Sequence, residues 1–534
     1  MIDFTRIVAL CAVLVTAVFL TACESSERSD SGTQDSIALP SDLTAPIPGA
    51  TFSLVRQHLP GAPQDYGPGT HQGFDFYNGF SGRPMAGDEP VVAVADGEII
   101  RIDSAYEPPG DEKLSYYAEI STKPGFIGEF ALDQLRGRQV WVRHDAGHVS
   151  RYAHLSEVHP ELAPGDAIQQ GQPIGLIGDT GLARTADEPE PAPHLHFELW
   201  SPDGSVHLGE GRTPLETHRL VAHYFGSDAL PRFAQRIVSQ VEAGQEIPES
   251  YPPKELPNVE FQVDPPSSVP AGSAFAVPIT WEDEDLSVQD FFANLEGRSL
   301  GLIDAGNGAW ILGAIPLQSA GDALNLSVGM IDPFGRTIAG QTVLQITAPA
   351  IASEAREVDP AVLDVFTERN QRIEAEKLAP IHRQSLELRE PLWSAAFQPP
   401  TAGNIVATFG QLAVHGVRRP EYPLPGIEIV PADRDAEIGA ANAGRVALVD
   451  DLPIRGKTIA LIHGGSVVTI YSQLGQIQVS VGEQVERGQA LATARSGSSD
   501  NGAVQVEIHV AGIPSNPAGW LDQILPVAAA DSAE

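Results

Sequence analysis

Two stretches of this 534-residue chain repeat one another, and the repeat sets the frame for everything else. Gly165-Asp-Ala-Ile-Gln-Gln-Gly171-Gln-Pro-Ile returns as Gly482-Glu-Gln-Val-Glu-Arg-Gly488-Gln-Ala-Leu. Tyr152-Ala-His154-Leu155 returns as Tyr471-Ser-Gln473-Leu474, and Phe197-Glu198-Leu199 as Val506-Glu507-Ile508. The first copy reads as short strand-like runs punctuated by Gly and Pro, the pattern of an antiparallel β-domain. A chain this long exceeds one hydrophobic core, so about three domains are expected.

The first copy gathers histidine and carboxylate. His71-Gln-Gly-Phe-Asp75, the lone His154 and His194-Leu-His196 offer the donors of a mononuclear zinc hydrolase site. Catalytic zinc takes three protein ligands from His and Asp/Glu and keeps a fourth position for water. Histidines are left over for proton transfer. The run His194-Leu-His196-Phe-Glu198 alternates as a β-strand does, so both imidazoles and Glu198 share one face while Leu195, Phe197 and Leu199 point into the core. A lone histidine such as His144 or His218 reads as a surface or structural residue. Glu198 reads as a structural support behind the ligands.

These residues resemble the lysostaphin/LytM-type zinc metalloendopeptidases, which cut peptides in bacterial cell-wall peptidoglycan. The family pattern H-x-G-x-D, Y-x-H-L, P-H-L-H-F-E is met by His71 to Asp75, Tyr152 to Leu155 and Pro193 to Glu198. Pro90-Val-Val-Ala-Val-Ala-Asp96-Gly97 and the Gly165 to Gly175 segment match as well, so the resemblance covers about residues 51 to 220. It implies that His71, Asp75 and His196 hold one zinc ion per chain and that His154 and His194 assist catalysis. Asn516-Pro-Ala-Gly-Trp520-Leu matches the family's closing strand, so residues 396–525 read as a second peptidase domain. Its chemistry is missing. Leu424 and Glu428 stand at the places of His71 and Asp75, Gln473 at that of His154, and Ala503 and Gln505 at those of His194 and His196. Leu and Gln cannot replace a neutral imidazole, so no metal is expected there. His509 falls beyond the motif and is expected to be exposed.

The expected fold class is mainly β: two antiparallel β-sheet LytM-type peptidase domains, the first active and the second degenerate, flanking an Ig-like β-sandwich. The division runs 1–22 lipoprotein signal peptide, 23–50 flexible linker, 51–225 active peptidase domain and 226–256 helix and linker. It continues 257–349 Ig-like sandwich, 350–395 helical connector, 396–525 degenerate domain and 526–534 tail. Alternating runs such as Phe275-Ala-Val-Pro-Ile279 and Leu324-Asn-Leu-Ser-Val328 carry the sandwich assignment. Two insertions relative to the family, residues 104–138 and 182–192, read as loops walling the cleft.

A formal net charge of -37 argues against a nucleic-acid partner, whose phosphates demand Lys and Arg. The apolar run 7–22 after Arg6 fits a signal-peptide core. Leu20-Thr-Ala-Cys23 resembles the bacterial lipobox, which implies acylation of Cys23 and an exported lipoprotein anchored to a membrane and facing the periplasm. Glu24, rather than Asp, favours the outer membrane. With Cys11 leaving in the signal and Cys23 lipidated, no disulfide is expected. The expected activity is hydrolysis of peptidoglycan peptides. A non-catalytic scaffold that recruits or activates a wall amidase or division partner, and a peptidase acting on a protein substrate, stand as alternatives.

Overall fold

The structure, a computed structural model, describes residues 42–520 other than 86, 185–191, 249, 307, 320, 350–354, 359, 415–422, 434 and 496–501. The signal sequence, Cys23 and the tail lie outside the described residues, as does most of the second insertion.

Near the N-terminal end an antiparallel sheet runs in the order Phe74–Tyr77, His194–Trp200, Val149–Ala153, Val140–His144, Gly97–Ile102, Ala167–Ile168. A smaller sheet pairs Pro90–Val92, Pro173–Leu176 and Glu157–Val158. Phe52 anchors the layer beneath, edge-on to Phe74 and Phe76 and tilted against Phe225. The second copy repeats this order strand for strand: Ile427–Pro431, Val504–Val510, Val467–Ser472, Gly456–Gly464, Gly444–Leu452, Gln484–Val485, with Gly403–Ala407 added outside Ile427–Pro431. A buried relay is also repeated. His144 Nε2 meets Ser150 Oγ at 2.8 Å and Ser150 meets Tyr152, as His463 meets Thr469 at 2.8 Å and Thr469 meets Tyr471. His144 is therefore structural, and so is His218, which is fully buried between Tyr251 Oη and the Ser53 carbonyl.

Between the copies, a four-stranded and a five-stranded sheet close over one core that includes Val277, Ile311, Leu326 and Met330. Ile303 and Leu312 of this region join the core of the second copy, so the two share packed apolar surface. Helix Glu368–Glu387 lays Leu378 and Ile381 against Ile462 and Ile470 of the second copy.

The all-strand expectation for residues 51–225 misses three helices. Pro214–Phe225 starts on a capping box, Thr213 accepting from Glu216 N and the Glu216 carboxylate from Thr213 N. That Thr-Pro-Leu-Glu start signal is present in the sequence. Asp111–Ser121 and Phe126–Leu135 build the first insertion, a helical hairpin held by Leu114, Tyr117, Ile120, Ala131 and Leu135. Tyr66 packs against that cluster and Gly67 N donates to Ser121 Oγ at 2.8 Å, so the insertion stands beside the cleft. Among the described residues, no helix is long and apolar enough to cross a membrane.

Candidate metal centre

Strands Phe74–Tyr77 and His194–Trp200 pair so that Asp75 lies opposite His196 and Tyr77 opposite His194. Directly opposed residues project from one face of a sheet, so the register alone converges these four side chains. His71 arrives from the preceding turn, pinned by its amide on the Ala62 carbonyl at 2.8 Å and by Gly61 N on its own carbonyl at 2.7 Å. Gly73 between them is required by close approach, because a Cβ there would stand 2.4 Å from the Phe197 carbonyl oxygen. His71 Nε2 lies 3.1 Å from Asp75 Oδ1 and 3.0 Å from His196 Nδ1, and His196 Nδ1 lies 2.8 Å from Asp75 Oδ1.

The remaining ring nitrogens settle the tautomers. His71 Nδ1 donates to the Leu59 carbonyl at 3.1 Å, and His196 Nε2 donates to Glu198 Oε1 at 3.0 Å. The nitrogens that face one another are therefore the ones a metal would take as ligands, once His196 Nδ1 gives up its proton, and their orientation is held from behind by a carbonyl and a carboxylate. The donor set fits one small cation: two imidazoles and one carboxylate, all buried, with donor atoms within 4.8 Å of each other. Among the described residues no other group of three or more such donors comes together.

His154 and His194 stand beside this trio. His154 Nδ1 donates to the Thr180 carbonyl at 2.8 Å, and His194 Nδ1 to that of Ala192 at 3.0 Å. Their Nε2 atoms are left as acceptors, and the two rings lie 4.7 Å apart. His154 sits at φ 61°, in the left-handed region, which swings its ring out of the strand path. Burial, reinforced by His194 and His196, drives the His154 pKa well below its ordinary range, and burial lowers His194 too. Both are neutral bases at pH 7. Burial would raise Asp75, but His71 and His196 outweigh it and hold the carboxyl well below its usual range. Burial would lower His196, yet Asp75 and Glu198 push it up to about 9 while no cation is present.

Two functional residues escaped the sequence reading. Arg136 donates from Nε to Glu198 Oε1 at 2.7 Å and from Nη2 to Gln72 Oε1 at 2.8 Å, while its carbonyl accepts from His154 N at 2.9 Å. It thereby joins the support of one candidate ligand to the backbone of a candidate base. With Leu132 and Leu135 of the same insertion it lines a cavity reached by His154 and His196. Its signal was in the repeat, where Arg136-Gly-Arg precedes one strand and Arg455-Gly-Lys its counterpart. Tyr77 is the second. Its ring stacks on His194 at 4.1 Å and 19°, with Oη 3.3 Å from Nε2. Its place two residues after Asp75 on a strand put it on the same face.

The second copy keeps this frame without the donors. Leu424 is pinned as His71 is, by its amide on Gln411 and by Gly410 N on its carbonyl. Glu428 lies opposite Gln505, as Asp75 lies opposite His196. Gln473 repeats the left-handed backbone at φ 60° and its amide bonds the Arg455 carbonyl at 3.0 Å. Arg455 grips Glu507 at 2.7 and 2.9 Å, and Gln505 Nε2 donates to Glu507 at 2.9 Å. Ala503, at the place of His194, is buried and offers no donor. His509 departs from expectation. It is buried, with Nε2 2.8 Å from Glu507 and Nδ1 3.2 Å from His382, because helix Glu368–Glu387 covers that face.

The fold is present twice and, among the described residues, the donor site once. Residues 69–208 and 423–517 match Peptidase family M23. The chain is 31% identical over 75 residues to the peptidoglycan DD-endopeptidase ShyC of Vibrio cholerae, 14% of this chain and 15% of that one. It is 33% identical over 94 residues to the murein hydrolase activator EnvC of Escherichia coli, 17% of this chain and 22% of that one. The catalytic domain of the antimicrobial peptidase lysostaphin from Staphylococcus simulans matches at 24% identity and a TM-score of 0.17, over 27% of this chain and 76% of that one. The chain spans 15% to 28% of the length of the curated relatives it matches.

Proposed function

We propose that residues 51–225 form a zinc metalloendopeptidase that hydrolyses peptide bonds in peptidoglycan stem peptides or cross-bridges. The observation that carries this reading is the convergence of His71 Nε2, His196 Nδ1 and the Asp75 carboxylate within 4.8 Å, while the far nitrogens of the two rings are tied to the Leu59 carbonyl and to Glu198. Zinc held by these three would polarise the scissile carbonyl and acidify a water toward a pKa of about 7. His154 and His194, both neutral, present Nε2 as the acceptor, that of His194 with Tyr77 Oη 3.3 Å away, and would hold the attacking water and receive its proton. The proton then passes to the leaving amine. Before that transfer, the one ring that carries the proton steadies the negative charge that develops on the carbonyl oxygen. Arg136, through Glu198 and the His154 amide, keeps both halves of the site in register.

Around this centre the reading extends to an exported lipoprotein, acylated at Cys23, facing the periplasm from the outer membrane, with an Ig-like spacer at 257–349. Residues 396–525 are a peptidase-like domain without catalysis. A second reading, a scaffold that activates a wall amidase, is favoured by that domain's loss of the imidazoles at the positions of His71, His154, His194 and His196 and by the name of the Escherichia coli relative. Purified protein incubated with muropeptides and with casein, each with and without chelator, separates these. Chelator-sensitive cleavage of muropeptides supports the proposal, cleavage of casein alone makes the substrate a protein, and cleavage of neither leaves the scaffold.

A further inference from the structure

In the second copy a guanidinium stands where the first copy offers a metal site. The connector strand Arg356–Glu357 runs parallel to Ala413–Val414, with Arg356 N donating to the Leu412 carbonyl at 2.7 Å and Val358 N to that of Val414 at 2.8 Å. That edge has a counterpart in the first copy. The bridge Leu412–Pro423 answers the bridge Pro63–Thr70, and Gln64, Tyr66 and Pro68 between the latter pair wall the cavity over His154 and His196. The connector therefore pairs with the described part of the counterpart edge, residues 412–414. From it, Arg356 reaches Glu428 in a fork, Nη1 2.6 Å from Oε2 and Nη2 2.9 Å from Oε1.

We propose that Glu428 and the 412–414 edge form a guanidinium site, filled in cis by Arg356, so that the connector is strapped over the place that corresponds to the first copy's metal site. The chemistry of the replaced residues favours this cation over a metal. With Leu424 and Gln505 at the imidazole positions, a metal ion would find one carboxylate and no ring nitrogen. A guanidinium needs only an acceptor carboxylate, because its planar fork matches two carboxylate oxygens and its charge does not titrate. Strand pairing at 412–414 adds backbone bonds that fix where the fork arrives. A peptide or partner segment that pairs with the 412–414 edge must first displace residues 355–358. The proposal is independent of whether the first copy is an active peptidase.

The test is limited digestion of the full chain with a glutamyl endoprotease, following cleavage after Glu357 by mass spectrometry. Arg356→Ala should accelerate that cleavage about 5-fold, the population change expected from losing a forked, partly exposed ion pair. Glu428→Gln should accelerate it alike. Methylguanidinium, far below denaturing concentration, should slow cleavage of Arg356→Ala, whereas methylammonium of equal charge should not. The rescue should vanish in Arg356→Ala/Glu428→Gln. Cleavage of Arg356→Ala at the wild-type rate, or an acceleration that methylguanidinium fails to reverse or methylammonium reverses equally, would overturn the proposal.

Discussion

Replacing Glu198 by Gln tests whether the support behind His196 matters as much as the ligands. Glu198 is almost fully buried and accepts on both oxygens: from His196 Nε2 at 3.0 Å and Arg136 Nε at 2.7 Å on one, from Trp200 Nε1 and Arg151 Nη1 on the other. Burial would raise its pKa, but Arg136, His196 and Arg151 hold it well below the ordinary carboxylate range, so it is charged at every pH of interest. The amide keeps an acceptor for one side only. Its NH2 group then faces the donors Trp200 Nε1 and Arg151, and two guanidiniums lose their countercharge. Breaking a buried pair this way costs about 3–5 kcal/mol of stability, the lower end applying because Arg151 is partly exposed. Weakened orientation of the metal-binding histidine costs about 10–100-fold in affinity, or about 1.4–2.8 kcal/mol. Zinc affinity is read by competition with a chromophoric chelator, and stability by thermal melting with and without zinc. A Glu198→Gln protein that binds zinc within about twofold of wild type would refute the reasoning that this carboxylate orients His196.

Three other outcomes are expected, two from the site geometry and one from the sequence around Cys23. His154→Ala should retain zinc, since His154 is outside the donor trio, yet lose about 100-fold or more in peptidase activity, read by muropeptide turnover. Zinc affinity should rise about tenfold per pH unit up to about pH 9 and then level off, because His196 is protonated below about 9 in the metal-free protein and zinc must displace that proton. The sign is that of a raised histidine: the Asp75–His196–Glu198 interaction stabilises the metal-free fold fully below 6.5 and is lost as pH rises through about 9. Calorimetry in buffers of differing ionisation enthalpy checks the proton count. Cys23→Ser should release the protein from membranes without altering its melting temperature, which fractionation with and without detergent would show.

The sequence was most legible where spacing alone decides proximity. The alternation in His194-x-His196 put both rings on one face, whereas the resemblance to the LytM-type pattern, not spacing, implied the donor trio and the two candidate bases; the register that sets Asp75 opposite His196 is a finding of the structure. The repeat likewise exposed the second copy and each of its lost donors, because equivalent turns preserve Gly and Tyr positions. The repeat marked Arg136 as a shared position, but its role was illegible because its partner Glu198 is 62 residues away and meets it only once the insertion folds as a helical hairpin. Asp111–Ser121 and Phe126–Leu135 carry short apolar patterns interrupted by Lys123-Pro124-Gly125, which reads as loop chemistry when no neighbour is known. His509 was misjudged for a related reason. Strand alternation puts it on the face of Glu507, but only the distant helix Glu368–Glu387 turns that face into an interior. Arg356 could not be placed at all, since nothing local ties a connector residue to Glu428.

Metal content measured by elemental analysis on the purified full chain tests the central claim most directly. One zinc per chain is predicted, absent from His71→Ala and His196→Ala and unchanged in Glu428→Gln. Two ions per chain, or a single ion that survives His71→Ala but leaves with Glu428→Gln, would contradict the account.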